Sequence, residues 1–178
     1  MTGEIEPPGV PDVVRPGLDV LFCGINPGVR SGQLGRHFAR PGNRFWKVLH
    51  GAGFTDRVLD PSEQEALLDY GVGITNLVER TSRSASDLAP EELRRGAATL
   101  ERKVADLRPR FVAVLGVQAY RVAFRQPSAP LGEQPGGIGA GSRLWVLPNP
   151  SGLQARYQME DLIRLYTELR AAAATVGP

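Results

Sequence analysis

A single three-layer α/β/α domain, built on a mainly parallel sheet of about four strands, is the architecture expected of this 178-residue chain. Three observations lead there. The length suits one domain with a sizeable core, and no internal repeat marks a second. Hydrophobic residues at 42% and charged residues at 22% are ordinary globular values, which argues against disorder. Short apolar runs alternate with stretches of helical periodicity, the pattern of strands covered by helices on both faces.

Residues 1–16 hold four prolines and no periodicity, so they read as a tail or an irregular wrap, with the domain proper over 17–170. Leu18–Cys23 (LDVLFC), closed by Gly24, is a buried strand. A Gly- and Pro-containing loop over Gly24–Pro41 precedes a helix around Asn43–Ala52. Ser62–Tyr70 is a short helix with Ser62 as its cap and Glu65 three residues on. Val72–Leu77 is a second strand. Pro90–Leu107 is the clearest helix: Leu93, Ala97, Leu100, Val104 and Leu107 form one stripe, and Pro90, Glu91 and Glu92 suit its first turn. Phe111–Leu115 is a buried strand stopped by Gly116, and a helix follows near Val117–Phe124. Gln126–Gly141, rich in Gly and Pro, reads as loop. Leu144–Leu147 is a fourth strand, halted by Pro148 and Pro150. Met159, Leu162, Ile163, Tyr166 and Leu169 mark a closing amphipathic helix, and a frayed tail is expected over 171–178.

Composition narrows the chemistry. One cysteine, Cys23, allows neither an internal disulfide nor a cysteine zinc cluster. With only His37 and His50 besides, a zinc site of nitrogen and sulfur ligands is not expected, and neither histidine has a supporting hydrolase motif. No apolar run approaches the ~18 residues of a membrane span, and no apolar signal core is seen near residue 1. A cytoplasmic monomer without membrane association is the expectation. The net charge is only +2. Its distribution is uneven: Val20–Thr55 holds Arg30, Arg36, Arg40, Arg44 and Lys47 without one acid, and from Leu107 to Met159 Glu133 stands alone against Arg108, Arg110, Arg121, Arg125, Arg143 and Arg156. Brought together, these stretches make a polyanion-binding face; left scattered, they are solvated arginines.

Two polar loops follow strands directly, where α/β folds form their sites: GINPG at Gly24–Gly28 and NPSGL at Asn149–Leu153. GINPGVRSG has neither Gly-Lys-Ser/Thr nor G-x-G-x-x-G, and the first acid after Gly28 is Asp56, which argues against nucleotide and dinucleotide binding.

These two loops resemble the signature motifs of the mismatch-specific uracil/thymine DNA glycosylases. HFARPGNRFWKVLHGAGFTDR (His37–Arg57), GITNLVERTS (Gly73–Ser82) and VLGVQAY (Val114–Tyr120) strengthen the resemblance, which runs in the family's order from Gly17 to Leu169. It implies a uracil-DNA glycosylase-type domain. It also implies an enzyme that flips uracil, thymine, ethenocytosine or 5-substituted pyrimidines from double-stranded DNA opposite guanine and hydrolyses the N-glycosidic bond, with no metal or redox cofactor. Asn26 matches the residue that holds the attacking water, although alone it is a turn residue before Pro27. Phe38 matches the aromatic that stacks on the base; alone it is a core phenylalanine. Ser31, Asn76 and Asn149 match pocket positions, and backbone amides near Ile25 and Phe38 suit developing charge on the base. Strictly uracil-specific relatives place a tyrosine at Gly28, so glycine implies a wider pocket. In the second loop Ser151, Gly152, Leu153 and Gln154 match DNA-contacting positions, with Leu153 as an apolar wedge. The family's arginine stands one residue farther along, at Arg156, where phosphate contact and plain surface exposure both remain open. Lys47 and Lys103, the only lysines, lie outside these loops and offer no nucleophile there, so a monofunctional enzyme is expected. Two rivals remain: a mismatch-binding module with little or no cleavage, and an enzyme of nucleosides or phosphosugars.

Overall fold

β1 (Val20–Gly24) sits between two parallel partners, β2 (Val72–Asn76) on one side and β3 (Phe111–Leu115) on the other. β4 (Gly132–Ile138) and β5 (Ser142–Leu147) complete a computed structural model that describes residues 7–175. β5 joins β3 in parallel and β4 closes the edge antiparallel, giving the order β2-β1-β3-β5-β4. Successive residues of the inner strands point to opposite faces, so an all-apolar run fills two cores at once. Phe22, Ala113 and Trp145 face one core with α2 (Phe45–Gly51) and α5 (Met159–Thr175). Leu21, Cys23, Val112 and Val146 face the other with α3 (Pro90–Leu107) and α4 (Val117–Ala123). The three layers are as expected.

The fifth strand is a correction. β4 lies inside the stretch read as loop, because GEQPGGI carries no apolar run; it buries only Gln134 and Ile138. An edge strand tolerates Pro135, and the register shift between Gln134 and Ile138 absorbs the glycines. A six-residue helix, α1 (Val29–Leu34), also interrupts the loop expected over Gly24–Pro41. The helix expected at Ser62–Tyr70 is a 3-10 segment from Pro61 to Tyr70, kinked at Glu63, and its cap is Asp60, whose carboxylate accepts from Ser62 N at 2.9 Å. Glu63, not Glu65, reaches back to Asp60 N at 3.0 Å.

Of the N-terminal stretch, Pro7–Pro16 lies against the domain. Val13 exchanges two 2.9 Å backbone bonds with Ile74, Thr81 donates to the Pro7 carbonyl at 3.1 Å, and Asp12 pairs with Lys103 at 2.5 Å. At the other end α5 continues through Thr175; 1–6 and 176–178 lie outside the described residues. No helix is long and apolar enough to cross a membrane among the described residues.

Candidate active site

A cavity of about 310 Å³ opens beyond the carboxyl ends of β1, β2, β3 and β5, at the lower end of the roughly 300–1,000 Å³ typical of ligand sites. Its floor is two loops sewn together. Leu77 N donates to Gly24 O, Val78 N to Ile25 O and Ser82 N to Pro27 O, at 2.9, 3.0 and 3.2 Å. The chain leaving β1 is thus held by the chain leaving β2.

Asn26 is fixed in this seam by its amide nitrogen. Nδ2 donates to the Arg80 carbonyl at 3.0 Å and to Ser82 Oγ at 2.8 Å, which uses both hydrogens. Ser82 Oγ in turn donates to Ser84 O at 2.7 Å, so its lone pair is turned to the amide. The Asn26 oxygen is left as an acceptor on a residue that lines the cavity. Gly28 follows at φ −73° and ψ 167°, ordinary extended backbone, and a Cβ there would meet nothing within 4 Å. Glycine is therefore not required by a left-handed turn at this position.

Phe38 makes the opposite wall. Its backbone is left-handed at φ 50°, rare for a side chain of this size, and strain of this kind gathers at functional sites. One ring face stacks on Phe45 at 4.1 Å between centroids, so Phe38 belongs to core and cavity together. Ser31 is buried, and its hydroxyl accepts from Ala39 N at 3.1 Å, which supports the Phe38 loop from below. Among the described residues Phe38 N–H has no acceptor. Asn76, at the end of β2, and buried His37 complete this side.

The second loop is organised by Arg44. Its guanidinium donates to the carbonyls of Pro150, Ser151, Gln154 and Tyr157 at 3.3, 2.8, 3.0 and 2.6 Å. The buried Tyr166 hydroxyl of α5 donates to Pro148 O at 3.1 Å from beneath. Asn149 Oδ1 accepts from Ser151 N and Gln154 Oε1 from Tyr157 N, so both side chains shape the turn while lining the cavity. Gly152 is needed for a close approach, though within the protein: a Cβ would collide with the Gly42 carbonyl oxygen. Leu153 stands at the tip beside the cavity mouth, 69% exposed.

The cavity gathers Ile25, Asn26, Gly28, Ser31, Phe38, Asn76, Asn149, Ser151, Leu153 and Gln154. Gly152 and Arg156 share the loop but do not line it. Arg156 borders a neighbouring apolar groove, its guanidinium 5.7 Å from the Tyr157 ring centre. His37, Ser82 and Arg83 line the cavity without a site role assigned from the sequence, and Arg40, grouped there with the polyanion-facing arginines, lines it too. Ser82 and Arg83 carry a usable signal, since they lie in the polar stretch that follows β2. His37 does not, since a lone histidine has no local pattern. Arg44, grouped by sequence with the polyanion-facing arginines, instead turns inward. Among the described residues no three His, Cys, Asp or Glu side chains come together as a metal cage. No lysine lines the cavity, and Lys103 is held by Asp12 and Thr75.

A polar cavity at the carboxyl edge of an open parallel sheet defines an α/β protein that works on a ligand held beyond its strand ends. The chain belongs to the uracil DNA glycosylase superfamily, whose family profile matches residues 11–170. Membership makes it a DNA glycosylase, a hydrolase of N-glycosidic bonds in DNA. Its fold is similar to that of a Methanosarcina acetivorans protein, solved by solution NMR and described as a candidate uracil DNA glycosylase. The TM-score is 0.60 at 19% identity, over 92% of this chain and 98% of that one.

Proposed function

We propose that the protein is a monofunctional, mismatch-specific uracil/thymine glycosylase that flips a pyrimidine opposite guanine into this cavity. The observation that carries the reading is the pinned Asn26 amide, whose oxygen alone is left to accept a hydrogen from water. Departure of the base leaves an oxocarbenium-like sugar and an anionic pyrimidine, and water adds to the opposite face. An amide is a far weaker base than a carboxylate, so bond breaking runs ahead of attack and turnover is slow. Phe38 stacks on the base, and its unpaired N–H suits the charge that develops there. Asn76 contacts the base edge. Leu153, the most exposed large apolar side chain among the described residues, fills the space the base leaves, and its loop backbone meets the widowed guanine.

Single-turnover excision from U·G and U·A duplexes tests this. U·G is expected to be cut faster, with Leu153→Ala slowing both. Equal rates on the two duplexes would remove guanine reading. The absence of abasic product over hours would leave a mismatch-binding module instead.

A further inference from the structure

The N-terminal segment and the cavity meet at His37. The residue is 2% exposed, and its two ring nitrogens have different partners. Nε2 lies 2.8 Å from the Pro11 carbonyl oxygen, and Nδ1 lies 3.4 Å from Asn76 Nδ2. A carbonyl only accepts, so Nε2 carries the proton. Burial lowers the His37 pKa, outweighing the opposing pulls of the Pro11 bond and of Asp12, which Lys103 partly neutralises. The ring is therefore neutral at neutral pH, and Nδ1 is a bare lone pair. Only the NH2 end of the Asn76 amide can face it. The amide oxygen is turned the other way, toward Gly24, where a Cβ would stand 2.5 Å from it. Among the described residues no donor reaches this oxygen, and Asn76 lines the cavity.

We infer that His37 is a positioning residue for base choice: through its Nε2–H tautomer it holds the Asn76 amide with the oxygen toward the base. A base with a hydrogen at N3, as in uracil and thymine, satisfies that oxygen. Cytosine, whose N3 is an acceptor, leaves two lone pairs opposed. The inference rests on the reading of Asn76 as a contact to the base edge. It also gives residues 7–13 a part in the site, since the Pro11 carbonyl sets the tautomer.

Binding of duplexes carrying non-cleavable 2′-fluoroarabino-uridine or 2′-fluoroarabino-cytidine opposite guanine reads the effect. Changes in the ratio of the two affinities between variants cancel the cost of opening each pair. His37→Gln keeps an amide near Pro11 but offers no acceptor at Nδ1, whereas His37→Asn puts an oxygen there. A packing role alone would move both variants alike. The Gln variant is expected to lose about tenfold in the uracil/cytosine ratio, as one lost base contact does, and the Asn variant to keep most of it. Asn76→Ala is expected to lose the ratio as well. If Asn76→Ala loses it while His37→Gln keeps it, the role of His37 is overturned and the base-edge reading stands. If Asn76→Ala also keeps it, the base-edge reading itself fails. Nitrogen NMR of the unmodified protein checks the tautomer without any variant: a proton found on Nδ1 overturns the proposal.

Discussion

Asn26 holds its pose through two donated bonds to the β2 loop, so its chemistry can be removed without disturbing the walls of the cavity. Asn26→Ala is expected to slow single-turnover excision by about 10²–10⁴-fold, the range of a positioned group that manages a proton, with mismatch binding little changed. Quench-flow rates beside gel-shift affinities check this, and parent-like cleavage would discard the assignment. Gly28 permits a second prediction because its backbone is already suited to any residue and the space around a Cβ is open. Gly28→Tyr is expected to fold normally and to suppress excision of 5-substituted uracils, while some uracil cleavage survives. Competition between uracil and 5-substituted uracil duplexes measures it, and undiminished activity on the substituted bases would place the C5 boundary elsewhere.

The first turn of α3 reaches the site through Glu92. Its carboxylate accepts from Ala89 N at 2.7 Å, closing the helix start, and from Arg80 at 2.6 and 3.1 Å; the Arg80 carbonyl in turn holds Asn26. The Arg80 bonds, then Ala89, pull the Glu92 pKa down to about 2 from its ordinary 4.5. The folded state therefore favours the ionised form. Its stabilisation is full above pH 4.5 and is lost as pH falls toward 2. Glu92→Gln should lower the melting temperature at pH 7, slow excision, and melt like the parent near pH 2; a gap that persists in acid would rule out the carboxylate as the source. The inner strands were readable because a buried run of apolar residues announces itself locally. β4 was not, because its ladder is supplied by β5 rather than by its own GEQPGGI. Asp60 was missed as a cap because Pro61, a residue suited to a helix start, moves the boundary one position earlier than Ser62 suggests.

Long-range contacts set the limit of sequence reading for the complete site. GINPG and NPSGL were found as polar loops after strands, yet Arg44, which shapes the second, binds carbonyls 106 to 113 residues away. His37 likewise meets Pro11 and Asn76 only in three dimensions. The acid-poor stretches divide for the same reason. Arg44 serves the loop, Arg143 pairs with Glu133 and Arg110 with Asp19. Arg40 and Arg83, by contrast, are exposed at the cavity and make no ion pair among the described residues. On the proposed reading, those two meet phosphates beside a flipped nucleotide. Each phosphate contact removed should flatten the dependence of log affinity on log salt by about 0.9, so Arg40→Ala and Arg83→Ala are each expected to lower that slope by about one. Arg143→Ala is the control, because Arg143 lies at the start of β5, at the opposite edge of the sheet from the cavity. Equilibrium binding to a mismatched duplex across a salt series reads all three. The proposed phosphate face fails if Arg143→Ala lowers the slope as much as the two cavity arginines, or if neither of those lowers it.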